Sequence, residues 1–340
     1  MNLEPKISVV TPSLNCAHML KRCIEGVVAQ RYSNFEHIVI DGGSNDGTIE
    51  LLQSYPHIQW ISERDRGEAD ALNKGFERVS GDIVCWLNAD DQFIGNSVFS
   101  LIAEEARKNP DAGIFYGRGV AIDEDGKVAW YRMPVHPLTL KQIIQWTYDL
   151  NVCQPAMFFR KAAILSAIPL PPDLKYGIDN CIWLRMASNG YKFHFINKPL
   201  AYACLVRKGA KSSATVEEQI TGVQQVTLQY LDKLSHEDRV DFWRDFYRHR
   251  FRHGEVYTKP IELSDNFEDL LGFAIAALEL GAPDFAVQAI ERLVALYPNS
   301  HEGFWLLGEV LNKKGMQTEA HHAIEHAARL LGAAPPTRVG

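Results

Sequence analysis

Two adjacent carboxylates, Asp90 and Asp91, close the run Ile83-Val84-Cys85-Trp86-Leu87-Asn88-Ala89. Like charges this close oppose joint ionisation, and a divalent cation is the usual means of keeping both as anions. A hard ion such as Mg²⁺ or Mn²⁺ takes oxygen ligands, one or two from protein carboxylates and others from phosphates, and it neutralises charge on a departing diphosphate. An Asp-Asp pair in isolation is often only a turn; its place directly after an apolar strand favours chemistry. A second segment, Asp41-Gly42-Gly43-Ser44-Asn45-Asp46-Gly47-Thr48, sets a carboxylate before glycines that let a ligand approach the backbone. Asp41 could accept from a base or ribose, or the stretch could be a glycine-rich turn capping the next helix. In a third segment, Ser62 to Gly75, the side chains of Asp70, Asn73 and Lys74 share one side of a helix at spacings of three and four, where they could meet a nucleotide and its phosphates.

Such residues need strand ends to hold them together. Ile7-Ser8-Val9-Val10, His37-Ile38-Val39-Ile40, Ile58-Gln59-Trp60-Ile61 and Ile83 to Leu87 read as strands, and Met19, Leu20, Cys23, Ile24, Val27 and Val28 recur at helical spacing between the first two. This alternation predicts an α/β fold with a mostly parallel sheet, whose ligands gather at the carboxyl ends of the strands. The polar loops after Val10, Ile40 and Leu87 should converge there. Beyond residue 110, Pro155 to Phe159 and Phe193 to Ile196 read as strands flanking a helix through Trp183 and Arg185, a half expected to supply acceptor contacts.

The C-terminal part reads differently. Residues 216–252 are strongly helical and end in an arginine- and aromatic-rich stretch that could lie on a membrane surface; read as a linker over 216–262, the stretch is expected to pack on the catalytic domain. Residues 263–334 repeat at about 34 positions, the period of a helix-turn-helix repeat. Phe304, Leu307, Gly308, Ala320, Ile324 and Ala327 fall where a tetratricopeptide repeat places its large and small packing residues, and Leu270, Phe273, Ala274, Ala286, Ile290, Leu293 and Pro298 offer a first copy. The pair could stabilise the fold, hold a partner protein or present an acceptor.

At 340 residues two domains are expected. A formal net charge of −7 disfavours nucleic acid and anionic lipid as partners. The six cysteines lack CxxC spacing and lie mostly in apolar runs, which suits reduced thiols in a cytosol. No basic stretch followed by an apolar core opens the chain and no run approaches membrane length, so a cytoplasmic protein, at most peripheral at the inner face of the membrane, is expected.

Over residues 6 to 213 these segments, in this order, resemble the inverting family 2 glycosyltransferases of GT-A fold. Thr11-Pro12-Ser13-Leu14-Asn15 is similar to that family's first nucleotide-contacting loop, Asp41 to Thr48 to its second, and Asp65-Arg66-Gly67 with Asp70 to Gly75 to its third. The resemblance puts Asp90 on the ribose and diphosphate side and Asp91 on the metal. Gln154 to Arg160 is similar to the family's acceptor-side strand, and Gly177 to Arg185 to the segment in which Asp179 is the catalytic base. Lys208 and Lys211 would close over the diphosphate as a lid, or form a solvated basic loop. Leu14, Gly42, Ile178, Cys181 and Lys208 depart from the common pattern, which leaves base recognition open. The resemblance implies a catalytic domain over residues 1–215 and transfer of a sugar, from a UDP-sugar, to a carbohydrate, lipid-linked sugar or peptide acceptor. The rival reading is a repeat scaffold that binds nucleotide sugars without turnover.

Overall fold

A computed structural model describes residues 4–134, 136–145, 152–205, 222–223, 225–252 and 263–332. The chain divides into two compact units, Met1–Tyr230 and Leu231–Gly340.

The first unit begins with β1 (Ile7–Ser13), α1 (Ala17–Val28), β2 (Phe35–Asp41), α2 (Thr48–Gln53), β3 (Ile58–Ser62), α3 (Glu68–Phe76) and β4 (Ile83–Trp86). It continues through β5 (Gln92–Phe93), α4 (Val98–Lys108), β6 (Ala112–Asp123), β7 (Val128–Arg132), α5 (Leu140–Gln145), β8 (Met157–Arg160), α6 (Lys161–Leu165), α7 (Ile178–Ser188) and β9 (Lys192–Leu205). The strands join one sheet in the order β3-β2-β1-β4-β8-β6-β9-β5, with β7 on β6. The first four are parallel; β8 then runs antiparallel to both β4 and β6, and β9 returns parallel to β6. The sheet is therefore mixed, with a parallel half that matches the expected strands. β1 and β4 are buried on both faces; β4 accordingly reads as an unbroken apolar run, and β1 carries the buried hydroxyls of Ser8 and Thr11 among its apolar residues. α1 turns Leu20, Cys23, Ile24 and Val27 inward at helical spacing. α3 lies so close to the sheet that a Cβ on Gly75 would collide with the Val10 side chain, so glycine is required at that crossing.

The second unit is helical: α8 (His236–Arg252), α9 (Phe267–Glu279), α10 (Pro283–Leu296), α11 (His301–Lys313) and α12 (Gln317–Leu330). α9 and α11 begin 34 residues apart, as do α10 and α12, so the sequence period is also a structural one. Even the caps correspond: Asn266 Oδ1 accepts from the Asp269 N–H and Ser300 Oγ from the Gly303 N–H. The close approach of α11 and α12 rests on Gly308, where a Cβ would lie 2.5 Å from Ile324 Cγ1. Within the stretch read from sequence as a linker, residues 216–262, helix α8 belongs to the second unit. α8 buries Phe246, Tyr247 and Phe251 against Leu270, Phe273 and Ile290 of the second unit, because α9 offers its aromatic stripe a matching apolar face. Tyr247 Oη also donates to buried Asp269 at 2.6 Å.

Candidate active site

Parallel pairing sets three strand ends level. Ser13 stands beside Asp41, Asp41 beside Ser62, and the Leu87 N–H donates to Val10 O. The loops after β1 and β2 are stitched together above this edge. Asn15, in a left-handed conformation at φ 49°, donates its N–H to Ser44 Oγ at 2.7 Å and accepts from the Asn45 N–H at 2.9 Å. The Ala17 N–H donates to Asp46. Asp41 is fully buried and organises its own loop, accepting from the Gly43 and Ser44 N–H groups and from the Ser44 and Ser62 hydroxyls. Thr11 is likewise buried, its hydroxyl 2.9 Å from His37 Nε2, and burial holds His37 neutral with its pKa lowered to about 3. Ser13 is buried with Oγ 3.4 Å from Cys16 Sγ, Pro12 is half-buried, and Asn15 is exposed.

Asp65 presses its carboxylate against the backbone of Gly42: a Cβ at position 42 would lie 2.8 Å from Asp65 Oδ2. The carboxylate thus fills the space a side chain at 42 would need. Burial raises its pKa, against the Gly67 N–H and Lys74, which lower it. Asp70 caps the start of α3, accepting from Arg66 Nη2 at 2.8 Å and from the Arg66 N–H, and the Arg66 hydrogen bond leads in lowering its pKa. Lys74 pairs with Glu63 at 2.8 Å and lies 3.8 Å from Asp70. Asn73 spends its amide on Leu170, donating to the carbonyl at 2.9 Å and accepting from the N–H at 2.7 Å. Of the three residues sharing that helix side, Asn73 is therefore committed to holding the loop after α6.

Asp90 and Asp91 follow β4 inside a hydrogen-bonded frame. Trp86 Nε1 donates to Asn88 Oδ1 at 2.6 Å, and Gln154 Nε2 donates to the Trp86 carbonyl at 2.7 Å. Gln154 thus braces the loop that carries the Asp90-Asp91 pair. Asp91 is 5% exposed and accepts from the Cys204 N–H of β9 at 3.0 Å. Burial, and next the neighbouring Asp90, push its pKa well above the usual carboxylate range. Burial also lifts Asp90 to about 6, with Glu68 adding to it. Two carboxylates that burial disfavours as anions, with one backbone N–H on Asp91, form a donor set that a hard cation fits. Among the described residues, no group of three or more His, Cys, Asp and Glu is arranged to hold a metal, so such an ion would need oxygen ligands from elsewhere. Sequence reading missed Arg132, the basic side chain that acts on Asp91 from β7. The β-branched and aromatic run Val128-Ala129-Trp130-Tyr131-Arg132 carried a strand signal that could have found it.

Asp179 lies in the first turn of α7, after Gly177 in a left-handed conformation at φ 73°, and its Oδ1 accepts from the Asn180 N–H at 2.8 Å. A helix start favours a carboxylate there. Asn180 is fully buried and donates to Thr227 Oγ1 at 2.9 Å, pinning that turn. Trp183 and Arg185, expected on the acceptor side, are built into the body of the unit. Trp183 is 2% exposed, and Arg185 Nη1 donates to the Ala167 and Pro169 carbonyls at 2.7 and 2.6 Å. Lys208 and Lys211 lie outside the described residues.

Known proteins resemble this chain in sequence and in fold. An uncharacterized glycosyltransferase of Mycobacterium tuberculosis is 37% identical over 123 residues, 35% of this chain and 47% of its own length, so the chain spans about half of that relative. TuaG of Bacillus subtilis, provisionally named a teichuronic acid biosynthesis glycosyltransferase, is 26% identical over 62% of this chain and 84% of its own length. Among solved structures, TarS 1–349 of S. aureus in complex with UDP-GlcNAc superposes with a TM-score of 0.58 at 17% identity, over 96% of this chain and 92% of that one. The family model described as Glycosyl transferase family 2 matches residues 8–168. Residues 8–168 therefore match a glycosyltransferase family 2 model, and the mixed sheet they contribute to is GT-A-like.

Proposed function

We propose that this protein transfers a sugar from a nucleotide diphosphate donor, a UDP-sugar, to an acceptor hydroxyl with inversion of the anomeric centre, in the synthesis of a cell-surface polysaccharide. The observation that carries the reading is the buried Asp90-Asp91 pair at the end of β4, whose negative charge has little internal compensation. When bound, Mn²⁺ or Mg²⁺ would be held by Asp91 with Asp90 beside it and would supply neutralisation of the diphosphate leaving group. Asn15, Asp65, Asp70 and Lys74 border the same strand-end edge and would position the nucleotide, with Thr11, Pro12, Ser13, Asp41 and Asn73 shaping the loops that hold it. Asp179 would take the acceptor proton as that oxygen attacks. The gathering of these loops at one sheet edge and the match of residues 8–168 to the glycosyltransferase family 2 model support this. The 34-residue period of the second unit supports tetratricopeptide-like repeats that hold a partner or acceptor.

The deciding experiment screens nucleotide sugars for Mn²⁺-dependent turnover and compares Asp179→Asn with the parent protein. Transfer is expected to fall by about 10²-fold or more, the usual worth of a general base, while UDP affinity stays level. Full transfer by Asp179→Asn would remove the base assignment, and failure of any nucleotide diphosphate to bind with Mn²⁺ would remove the reading as a whole.

A further inference from the structure

One face of β7 combines a cation, an aromatic ring and nearness to the Asp90-Asp91 pair. Among the described residues β7 pairs with β6 alone, with Arg132 opposite Gly119 and Trp130 opposite Ala121. Residues two apart on a strand share a face, so Trp130 and Arg132 point the same way. The guanidinium carbon stands 6.0 Å from the centre of the Trp130 ring. Gly119 fixes where that face leads: a Cβ there would collide with Cys153, the residue before Gln154, which braces Trp86 and Asn88. Across β6, Gly119 pairs with Ala201 of β9, the strand whose Cys204 N–H reaches Asp91. Arg132 therefore sits near the aspartate pair, where its charge acts on Asp91.

Two features of this face are unexplained by the fold. Arg132 Nε is buried and, among the described residues, has no hydrogen-bond partner, an arrangement that costs free energy unless a ligand satisfies it. Trp130 remains 48% exposed, although its ring would gain from being covered. A guanidinium prefers an oxyanion, and an exposed indole face suits the apolar face of a sugar ring.

Resting on the sugar-transfer reading above, we propose that Trp130 and Arg132 form an acceptor subsite for an anionic saccharide, Trp130 stacking on a ring and Arg132 pairing with a carboxylate or phosphate that the acceptor carries. The competing source of an oxyanion is the donor diphosphate. The half-exposed Trp130 ring beside the guanidinium argues for the acceptor, since a diphosphate offers that ring no apolar face to cover it.

The test titrates the full chain, in the presence of UDP and Mn²⁺, with trigalacturonic acid, glucose 6-phosphate and neutral maltotriose, followed by ligand-observed NMR. The anionic probes are expected to bind about tenfold tighter than maltotriose, and Arg132→Gln to abolish that preference. Trp130→Ala should weaken all three. In the unmutated protein the preference should collapse when ionic strength rises from about 0.02 M to about 0.5 M, a readout that does not depend on any variant folding. Anionic probes that bind no better than maltotriose overturn the proposal. A preference that survives Arg132→Gln overturns it too, as does an Arg132→Gln effect confined to UDP affinity, which would put the guanidinium on the donor side. If UDP with Mn²⁺ does not bind the unmutated protein, the sugar-transfer reading itself fails; if it binds and the preference is absent, this proposal alone fails.

Discussion

The buried carboxylate of Asp91 accepts a hydrogen bond from the backbone N–H of Cys204 at 3.0 Å, joining the end of β4 to β9 across 113 residues of chain. One neutral donor does little to offset the burial of an anion pressed against a second carboxylate. The pair is thus held in place by the sheet and left short of positive charge.

That imbalance separates stability from function. In Asp91→Asn the amide oxygen still accepts from Cys204 while the burial of a charge disappears, so metal-free unfolding free energy should not fall and can rise by about 1 kcal/mol. UDP affinity in Mn²⁺ should drop by about tenfold or more. Urea unfolding and titration calorimetry read the two effects, and a destabilised variant with unchanged UDP binding would refute the assignment.

Gly42 and Asp65 compete for one space. Gly42→Ala would set a Cβ 2.8 Å from Asp65 Oδ2, the free end of a side chain that can swing away. If Asp65 contacts the nucleotide, Gly42→Ala and Asp65→Ala should each weaken UDP binding by about tenfold, and the double variant should be no worse than either. Additive losses measured by calorimetry would show that the two residues act separately.

Glu36 supplies an acid-sensitive tie. It is 7% exposed and accepts from Lys6 Nζ at 2.8 Å, Ser8 Oγ at 2.5 Å and the Ser80 N–H at 2.7 Å. Burial would raise its pKa, but these hydrogen bonds together outweigh burial and hold it at about 2, below its ordinary 4.5. A lowered folded-state value means the contribution is complete above 4.5 and is lost as pH falls toward 2. Glu36→Gln should cost about 1–3 kcal/mol near pH 7 and flatten the acid limb of stability against pH. An unchanged acid limb in urea unfolding would discount the tie.

In the second unit, Gly308→Val would drive side-chain atoms into Ile324. The expected cost is about 1–3 kcal/mol, as for other overpacked contacts. Hydrogen exchange should report it as lost protection in α11 and α12, with β1 and β4 unchanged. Uniform loss across the chain would mean that the two units do not open separately.

The parallel half of the sheet and the 34-residue helical period were legible because both are short-range patterns, runs of β-branched residues and recurring small residues that local packing imposes. β6 and β7 were not, since β6 is a long strand studded with Gly113, Gly117 and Gly119, whose role is to admit Tyr191, Leu200 and Cys153 against the backbone. That need comes from distant segments and leaves no period in the chain itself.

The same division runs through the site. Sequence by itself determined which residue types stand at the strand ends, because Asp41, Asp65, Asp90 and Asp91 follow apolar runs that had to be strands. Only the tertiary structure decided what each is for. It turned Asp41 into the organiser of its own loop, spent Asn73 on Leu170 and Arg185 on two carbonyls, buried Trp183, and brought Arg132 beside Asp91. Strand formation depends on neighbours in the chain, whereas the availability of a polar group depends on whichever partner folding delivers to it.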